Sequence, residues 1–344
     1  MMEPYFHRTE RDAACYDELR ERLPDVLFDA HQHVTLAAYR GTPPRELMEA
    51  DWAMQCSQGM DIDDMDAYAR ALFPGIAFRQ IAFGAVGRYA DLRGGNAYIA
   101  ELIRKGRIAQ GMMVLDPDWD DEECERTLVE GGFAGFKPYP DLVAGNKGAD
   151  ISIFTFVPHS KLRILNRHRR ALMLHIPRAG RLADDRNVAE LKELRDRYPE
   201  IEIIVAHYGR SYAPEVFREG ARKLGPYMRE LNFDTAAVLN PAVHAMALEV
   251  MDPKRILYGT DLPVFLWHGK RRWTQWEYFN LAREDFPWNR HEEGPEAEAG
   301  YTFFLYEQLR SILDAAEHSG GGRELAEDIL HRNAEALFER IGRD

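Results

Sequence analysis

The segment FDAHQHV, residues 28 to 34, sets two histidines one residue apart behind a short apolar run. In an extended strand alternate side chains share a face, so His31 and His33 would offer two imidazoles to one point beside the backbone. Neutral ring nitrogens in that arrangement can hold a divalent cation, although the spacing by itself also arises where no metal binds. Further residues of matching chemistry follow at the ends of other apolar runs: Lys137 in GFKPYP, His175 in LMLHIP, His207 in IIVAHYG and Asp261 in ILYGTDLP. Each is a metal ligand, a potential base, or a residue that CO2 can convert into a ligand. Singly, His175 and His207 read as core histidines and Asp261 as a turn cap. Their repetition at one strand end after another reads as a metal site.

The elements that must carry these residues alternate between short apolar runs and amphipathic stretches, the pattern of βα units building a parallel sheet. Eight runs qualify as strands: VLFDAH (26 to 31), RQIAFGAV (79 to 86), IAQGMMVLD (108 to 116), FAGFKPY (133 to 139), ALMLHI (171 to 176), EIIVAH (202 to 207), LNFDTAAV (231 to 238) and ILYGTD (256 to 261). Eight such units predict a distorted (β/α)8 TIM barrel, in which strand carboxyl ends face the active site. A single domain over residues 1–344 is expected. The long connection after the first strand, including residues 48 to 73, predicts helices lying as a lid over one end. NVAELKELRDRYP reads as a helix with Asn187 as its cap and Pro199 as its stop, and two final helices, 301 to 317 and 323 to 340, should pack on the outside. DPDWDDEECERT reads as a helix start rather than a calcium loop, because Asp121 and Thr127 stand where glycine and glutamate are needed.

Composition excludes several classes. A chain of 344 residues with 45% hydrophobic content can bury a large core, and a net charge of −13 repels nucleic-acid phosphates and anionic membranes. Cys15, Cys56 and Cys124 are few and scattered, which suits neither a disulfide framework nor a thiolate zinc site. The charged N-terminus lacks the apolar core of a signal peptide, so a cytoplasmic location is expected. The stretch after the eighth strand is rich in tryptophan (Trp267, Trp273, Trp276, Trp288) and reads as a substrate wall or, slightly preferred, a subunit surface that would serve a homodimer.

In their order and separations, FDAHQHV, GFKPYP, LMLHIP, IIVAHYG and ILYGTDLP resemble the amidohydrolase superfamily, and within it the amidohydrolase-related branch of metal-dependent hydrolases and decarboxylases. ILHRNAEALF is similar to that family's closing helix. The resemblance implies one divalent ion, Zn2+ or Mn2+, bound by His31, His33, His175 and Asp261, with His207 as a catalytic group. In two-metal relatives the lysine at the position of Lys137 is carbamylated and bridges a second ion; here a free ammonium binding an acidic substrate is the more economical role.

The reaction that follows is hydrolysis of a small, carboxylated amide, lactone or ester by water that the metal makes acidic, with Asp261 moving the proton and His207 polarising the carbonyl. The same ligands would serve non-oxidative decarboxylation of an aromatic or unsaturated acid, and a barrel without metal or turnover is a third alternative. Arg178 and Arg210 each stand three residues after a strand-end histidine and are candidates to bind the substrate's anionic group. Tyr139, His159, Trp267 and His268 also fall on rim loops, where packing or solvation is the simpler reading.

Overall fold

The computed structural model describes residues 7–50, 59–145 and 150–341. Eight parallel strands form one sheet in sequential order: β1 (Val26–His33), β2 (Ala77–Phe83), β3 (Gln110–Leu115), β4 (Gly135–Pro138), β5 (Ala171–Leu174), β6 (Glu202–Val205), β7 (Asn232–Asp234) and β8 (Ile256–Leu257). Beyond β8 the chain continues alongside β1. The Ala30 N–H donates to the Tyr258 carbonyl at 2.8 Å and the Asp261 N–H to the His31 carbonyl at 2.9 Å, bringing the two ends of the sheet together. The result is the expected (β/α)8 barrel, with helices between the strands. All eight expected strands are present, each shorter at its carboxyl end than its apolar run except β1, because the last residues turn inward to the site.

Apolar alternation separates the core into two shells. Phe28, Ile81, Met112, Met173, Ile204 and Leu257 fill the barrel interior, while a larger layer lies between the strands and the surrounding helices. The helix Phe304–His318 packs outside, where the Gln308 amide donates to the carbonyls of Thr235 and Gly259. The last helix, Asn333–Arg340, differs from the expected outside position: Leu337 and Phe338 join the inner shell, and the Phe338 ring lies parallel to Phe28 at 6.3 Å. It closes the end of the barrel opposite the strand carboxyl termini.

Local signals shift in two places. The helix Asp185–Arg197 is capped by Asp184, whose carboxylate accepts the N–H groups of Arg186 and Asn187. Asn187 is instead buried, and its amide donates to the carbonyls of Pro177 and Arg181, so its polar groups are spent on the loop after β5. The helix does end before Pro199. In the tryptophan-rich stretch, Trp267 is buried and meets Trp288 and Phe286 edge-on, so it belongs to the core rather than to a subunit surface. The rest folds as an antiparallel hairpin, β9 (Gly269–Trp273) and β10 (Tyr278–Ala282). Residues 51–58 of the expected lid, with Cys56, lie outside the described residues. The helix Asp121–Glu130 starts on Asp120, as its acidic first turn suggests.

Phe338→Ala should destabilise the protein by about 3–5 kcal/mol in urea unfolding, without altering the site at the opposite end; a loss below about 1 kcal/mol would contradict its role as a plug. His244 supplies a pH test. It is buried, its Nε2–H donates to the Val238 carbonyl at 3.0 Å, and burial pushes its pKa down from 6.5 to about 4. Between those values the unfolded chain takes up a proton that the folded one refuses, so this contribution to stability is complete above about pH 6.5 and falls as pH drops toward 4. Relative to His244→Phe, the wild type should lose stability as pH falls from 6.5 to 5; parallel stability profiles would contradict this.

Candidate metal centre and active site

The site grows from a break in β1. Its pairing with β2 shifts register between Asp29 and Gln32, and the buried Asp29 carboxylate holds the irregular segment by accepting the N–H groups of His31 and Thr260, both at 2.9 Å. Burial, offset in part by these bonds and the Thr260 hydroxyl, pushes the Asp29 pKa up to about 7. The brace ties β1 to the segment after β8 that carries Asp261. Gly259 is required there, because a Cβ at that position would lie 2.8 Å from His31 Cβ.

His31 is completely buried and its Nδ1–H donates to Asp234 Oδ2 at 2.8 Å. That bond fixes the tautomer and leaves Nε2 as a lone pair. Asp234, at the end of β7, uses its other oxygen to accept the His207 backbone N–H at 2.8 Å and that of Ala236 at 3.1 Å. The His207 Nδ1–H donates to the Ala236 carbonyl at 3.0 Å, so His207 also presents Nε2 as an acceptor. Sequence reading missed Asp234; the available signal was an aspartate at the end of the seventh apolar run, matching the other strand ends. Burial lowers the pKa of His31, His33 and His175, and brings His207 to about 4, so all four rings are neutral at pH 7.

Asp261 faces these imidazoles. Its Oδ1 lies 3.2 Å from His33 Nε2 and 3.4 Å from His31 Nε2. Burial pushes the Asp261 pKa up, but the His33 hydrogen bond and the surrounding imidazoles outweigh it and hold the carboxyl below its ordinary range. One ligand atom from each of His31, His207 and Asp261 lies within 4.8 Å of the other two. The Lys137 ammonium stands 3.3 Å from His31 Nε2, but it is one donor among several acceptors that face the Asp261 carboxylate, and this nitrogen and oxygen donor set fits a divalent metal ion. Both His207 and Asp261 have positive φ, 58° and 62°, a conformation that costs a non-glycine residue about 1–2 kcal/mol. Their N–H bonds to Asp234 and to the His31 carbonyl hold them in it.

The remaining candidates divide. His175 lies beside this group, its ring 5.4 Å from that of His207 and stacked on Tyr139 at 5.5 Å. A cavity of about 420 Å³ opens above them, lined by His33, His175, His207 and Asp261, with Arg210, Tyr139, Tyr212 and Tyr278 on its walls. The insertion after β1 borders it through Arg40, Pro43 and Met60. Lys137 is fully buried behind this surface, its Nζ 3.3 Å from His31 Nε2 and over the Phe83 and Tyr139 rings. Its ammonium reaches the His31 ring from below rather than the cavity wall, and burial lowers its pKa to about 8. Arg178 is directed away from the expected substrate contact. Its guanidinium is engaged by both Glu190 oxygens, at 2.8 and 3.1 Å, and by Asn187, and it braces the loop after β5. Tyr139 enters the wall, whereas His159 pairs with Tyr198, and His268 lies buried between Asp12 and Glu284.

The sequence model of the amidohydrolase family matches residues 28–340, and the chain belongs to that family. It is therefore a metal-dependent enzyme. No curated protein matches the chain. Similar solved structures include the 5-carboxyvanillate decarboxylase of Novosphingobium aromaticivorans, complexed with manganese and 4-hydroxy-3-methoxy-5-nitrobenzoic acid. That structure is 14% identical over 91% of this chain and 96% of its own, with a TM-score of 0.56. A dihydroxybenzoic acid decarboxylase from Polaromonas sp. JS666, with manganese and 2-nitroresorcinol, is 16% identical over 91% and 96%, at a TM-score of 0.54. A probable 2-pyrone-4,6-dicarboxylic acid hydrolase from Acinetobacter baumannii, with citric acid bound, is 12% identical over 91% and 99%, at 0.50. At these identities the likeness establishes the shared barrel. Among the described residues no helix is long and apolar enough to cross a membrane.

Asp234→Asn tests the tautomer argument. If the amide oxygen keeps the N–H groups of His207 and Ala236, its NH2 must face His31 Nδ1, which drives the His31 proton to Nε2 and removes that lone pair. Metal affinity, measured by chelator competition, should fall about 10–100-fold in a protein that still folds; unchanged affinity would contradict the assignment.

Proposed function

We propose that the protein is a mononuclear metal-dependent hydrolase that cleaves a C–N or C–O acyl bond of a small, carboxylated substrate. The observation that carries this reading is the convergence of neutral imidazoles on the ionised Asp261 at the floor of a cavity. Of the cluster of His31, His207 and Asp261, His31 and Asp261 would hold one divalent ion, completed by His33 and His175 from the same cavity, with His207 left as the catalytic group; a nitrogen and oxygen donor set suits Zn2+ or Mn2+. Such an ion supplies Lewis acidity, which polarises an acyl carbonyl and lets water be deprotonated near neutral pH.

The residues of the chain do the rest. Asp261 is ionised and borders the cavity, so one of its oxygens can accept a proton from water there and return it to the leaving nitrogen or oxygen. His207 acts differently from the carbonyl-polarising donor expected from sequence. With its one proton on Nδ1 and held by Ala236, Nε2 can only accept, and burial resists a second proton down to about pH 4. It serves as a second base or orienting acceptor for the attacking water. Arg210, on the cavity wall, makes only long bonds to the carbonyls of Ile176 and Arg178, at 3.4 and 3.3 Å, and is available to a substrate carboxylate. A homodimer and a cytoplasmic location accompany this proposal.

Decarboxylation is the second reading. The manganese-bound decarboxylases that share the barrel favour it, since the same ligands could grip a carboxylate and a neighbouring oxygen. A panel of esters, lactones, amides and hydroxybenzoates, assayed on manganese- or zinc-loaded protein for the new carboxylate product and for CO2, separates the two. A new carboxylate without CO2 is expected; CO2 evolution alone would assign the protein to the second class. Asp261→Asn and His33→Ala should abolish turnover while leaving the fold intact. His207→Asn should keep its metal yet lower kcat by about 10²–10⁴-fold, and loss of metal in that variant would make His207 a ligand instead.

A further inference from the structure

One of the unpaired charges near the cavity is buried. Arg178 is paired with Glu190, but Arg181, Arg210 and Arg271 form no ion pair among the described residues, in a chain whose net charge is −13. Arg271, in β9, is the extreme case, with only 4% of its surface exposed. Its Nε donates to Asn280 Oδ1 at 2.9 Å and its Nη1 to the Ala237 carbonyl, while Nη2 has no hydrogen-bond partner among the described residues. The guanidinium is enclosed by four rings: Tyr278 at 4.6 Å, Tyr212 at 4.8 Å, Phe304 at 5.1 Å and Phe265 at 5.9 Å. Tyr212 and Tyr278 line the cavity, and Arg181 lies over both of them as well. Burial lowers the Arg271 pKa to about 10.

A buried cation with a free N–H and no carboxylate is costly, and the cation–π contacts offset only part of that cost. The tyrosine rings that separate Arg271 from the cavity screen charge far less than water does, so its field extends to whatever lies against them.

We propose that Arg271 is a specificity-determining residue: its unpaired charge, behind the Tyr212 and Tyr278 wall, makes the cavity select an anionic ligand over its neutral isostere. The ligand class is a small planar carboxylate whose charged group lies against that wall while the remainder faces Asp261 and the histidines. The inference rests on the reading of this cavity as the substrate site, but not on the bond that is cleaved. It also assigns a role to the hairpin after β8: it brings a charge to the site from outside the βα units.

Nicotinate and its neutral isostere nicotinamide are the probes, titrated by calorimetry into manganese-loaded protein. Wild type should prefer nicotinate by about tenfold or more. Arg271→Met should lose most of that preference while its Tm rises, because an apolar side chain in the ring cage no longer carries an unpaired charge. Arg271→Lys should retain the preference. A preference unchanged in Arg271→Met would place the selection at the metal or Arg210 and overturn the proposal. Equal affinities in the wild type, no binding of nicotinate, or a lowered Tm with both affinities falling together would also overturn it, the last making Arg271 a brace for the loop of Ala237. Because binding alone is measured, these outcomes stand apart from the result of the turnover panel.

Discussion

The structure depends on one electrostatic constraint: imidazole lone pairs and a carboxylate oxygen are held against each other inside the protein. Asp234 supplies the constraint. By accepting the ring proton of His31 and the backbone proton of His207, it turns acceptor atoms from β1 and β6 toward Asp261. The Lys137 ammonium relieves only the His31 lone pair; the remaining acceptors repel one another, and burial removes the water that would relieve them. A divalent cation resolves the conflict, and the same conflict makes the site discriminate against rearrangement, since each ring has a single acceptable tautomer.

The barrel meets this constraint through its seam. Asp29, the β1 irregularity, Gly259 and the bonds from Asp261 to the His31 backbone all lie where the last strand returns to the first. Residues separated by most of the chain are thereby fixed relative to one another by backbone hydrogen bonds rather than by flexible side chains. The bond from the Asp261 N–H to the His31 carbonyl also supports the left-handed conformation of Asp261, while the Asp234 carboxylate supports that of His207. At the opposite end the apolar plug of Leu337 and Phe338 secures the inner shell without touching the chemistry, the separation of stability from activity that barrels allow.

Much of this was legible from residue types. Apolar runs ending in His31, His175, His207 and Asp261 pointed both to the strands and to the side chains that gather above them, because the apolar residues that bury a strand give way to polar ones at its carboxyl end. The partners that decide roles were not legible. Arg178 and Arg210 occupy equivalent places after their histidines, yet Glu190 engages one and not the other, a fact of tertiary packing. Lys137 follows the strand pattern but stops behind His31, and Asn187 looks like a cap while its amide serves a distant loop. His207 falls where the strand pattern puts it, but the carbonyl that fixes its tautomer comes from the loop after β7, which the sequence does not show. Arg271 carried no motif at all; its significance appears only once the hairpin closes over the tyrosines.

The central claim is that these side chains share one cation, and elemental analysis of protein purified without chelator tests it directly. Close to one equivalent of a divalent transition metal per chain is expected. Less than about 0.1 equivalent, with no gain when Zn2+ or Mn2+ is added, would contradict the account.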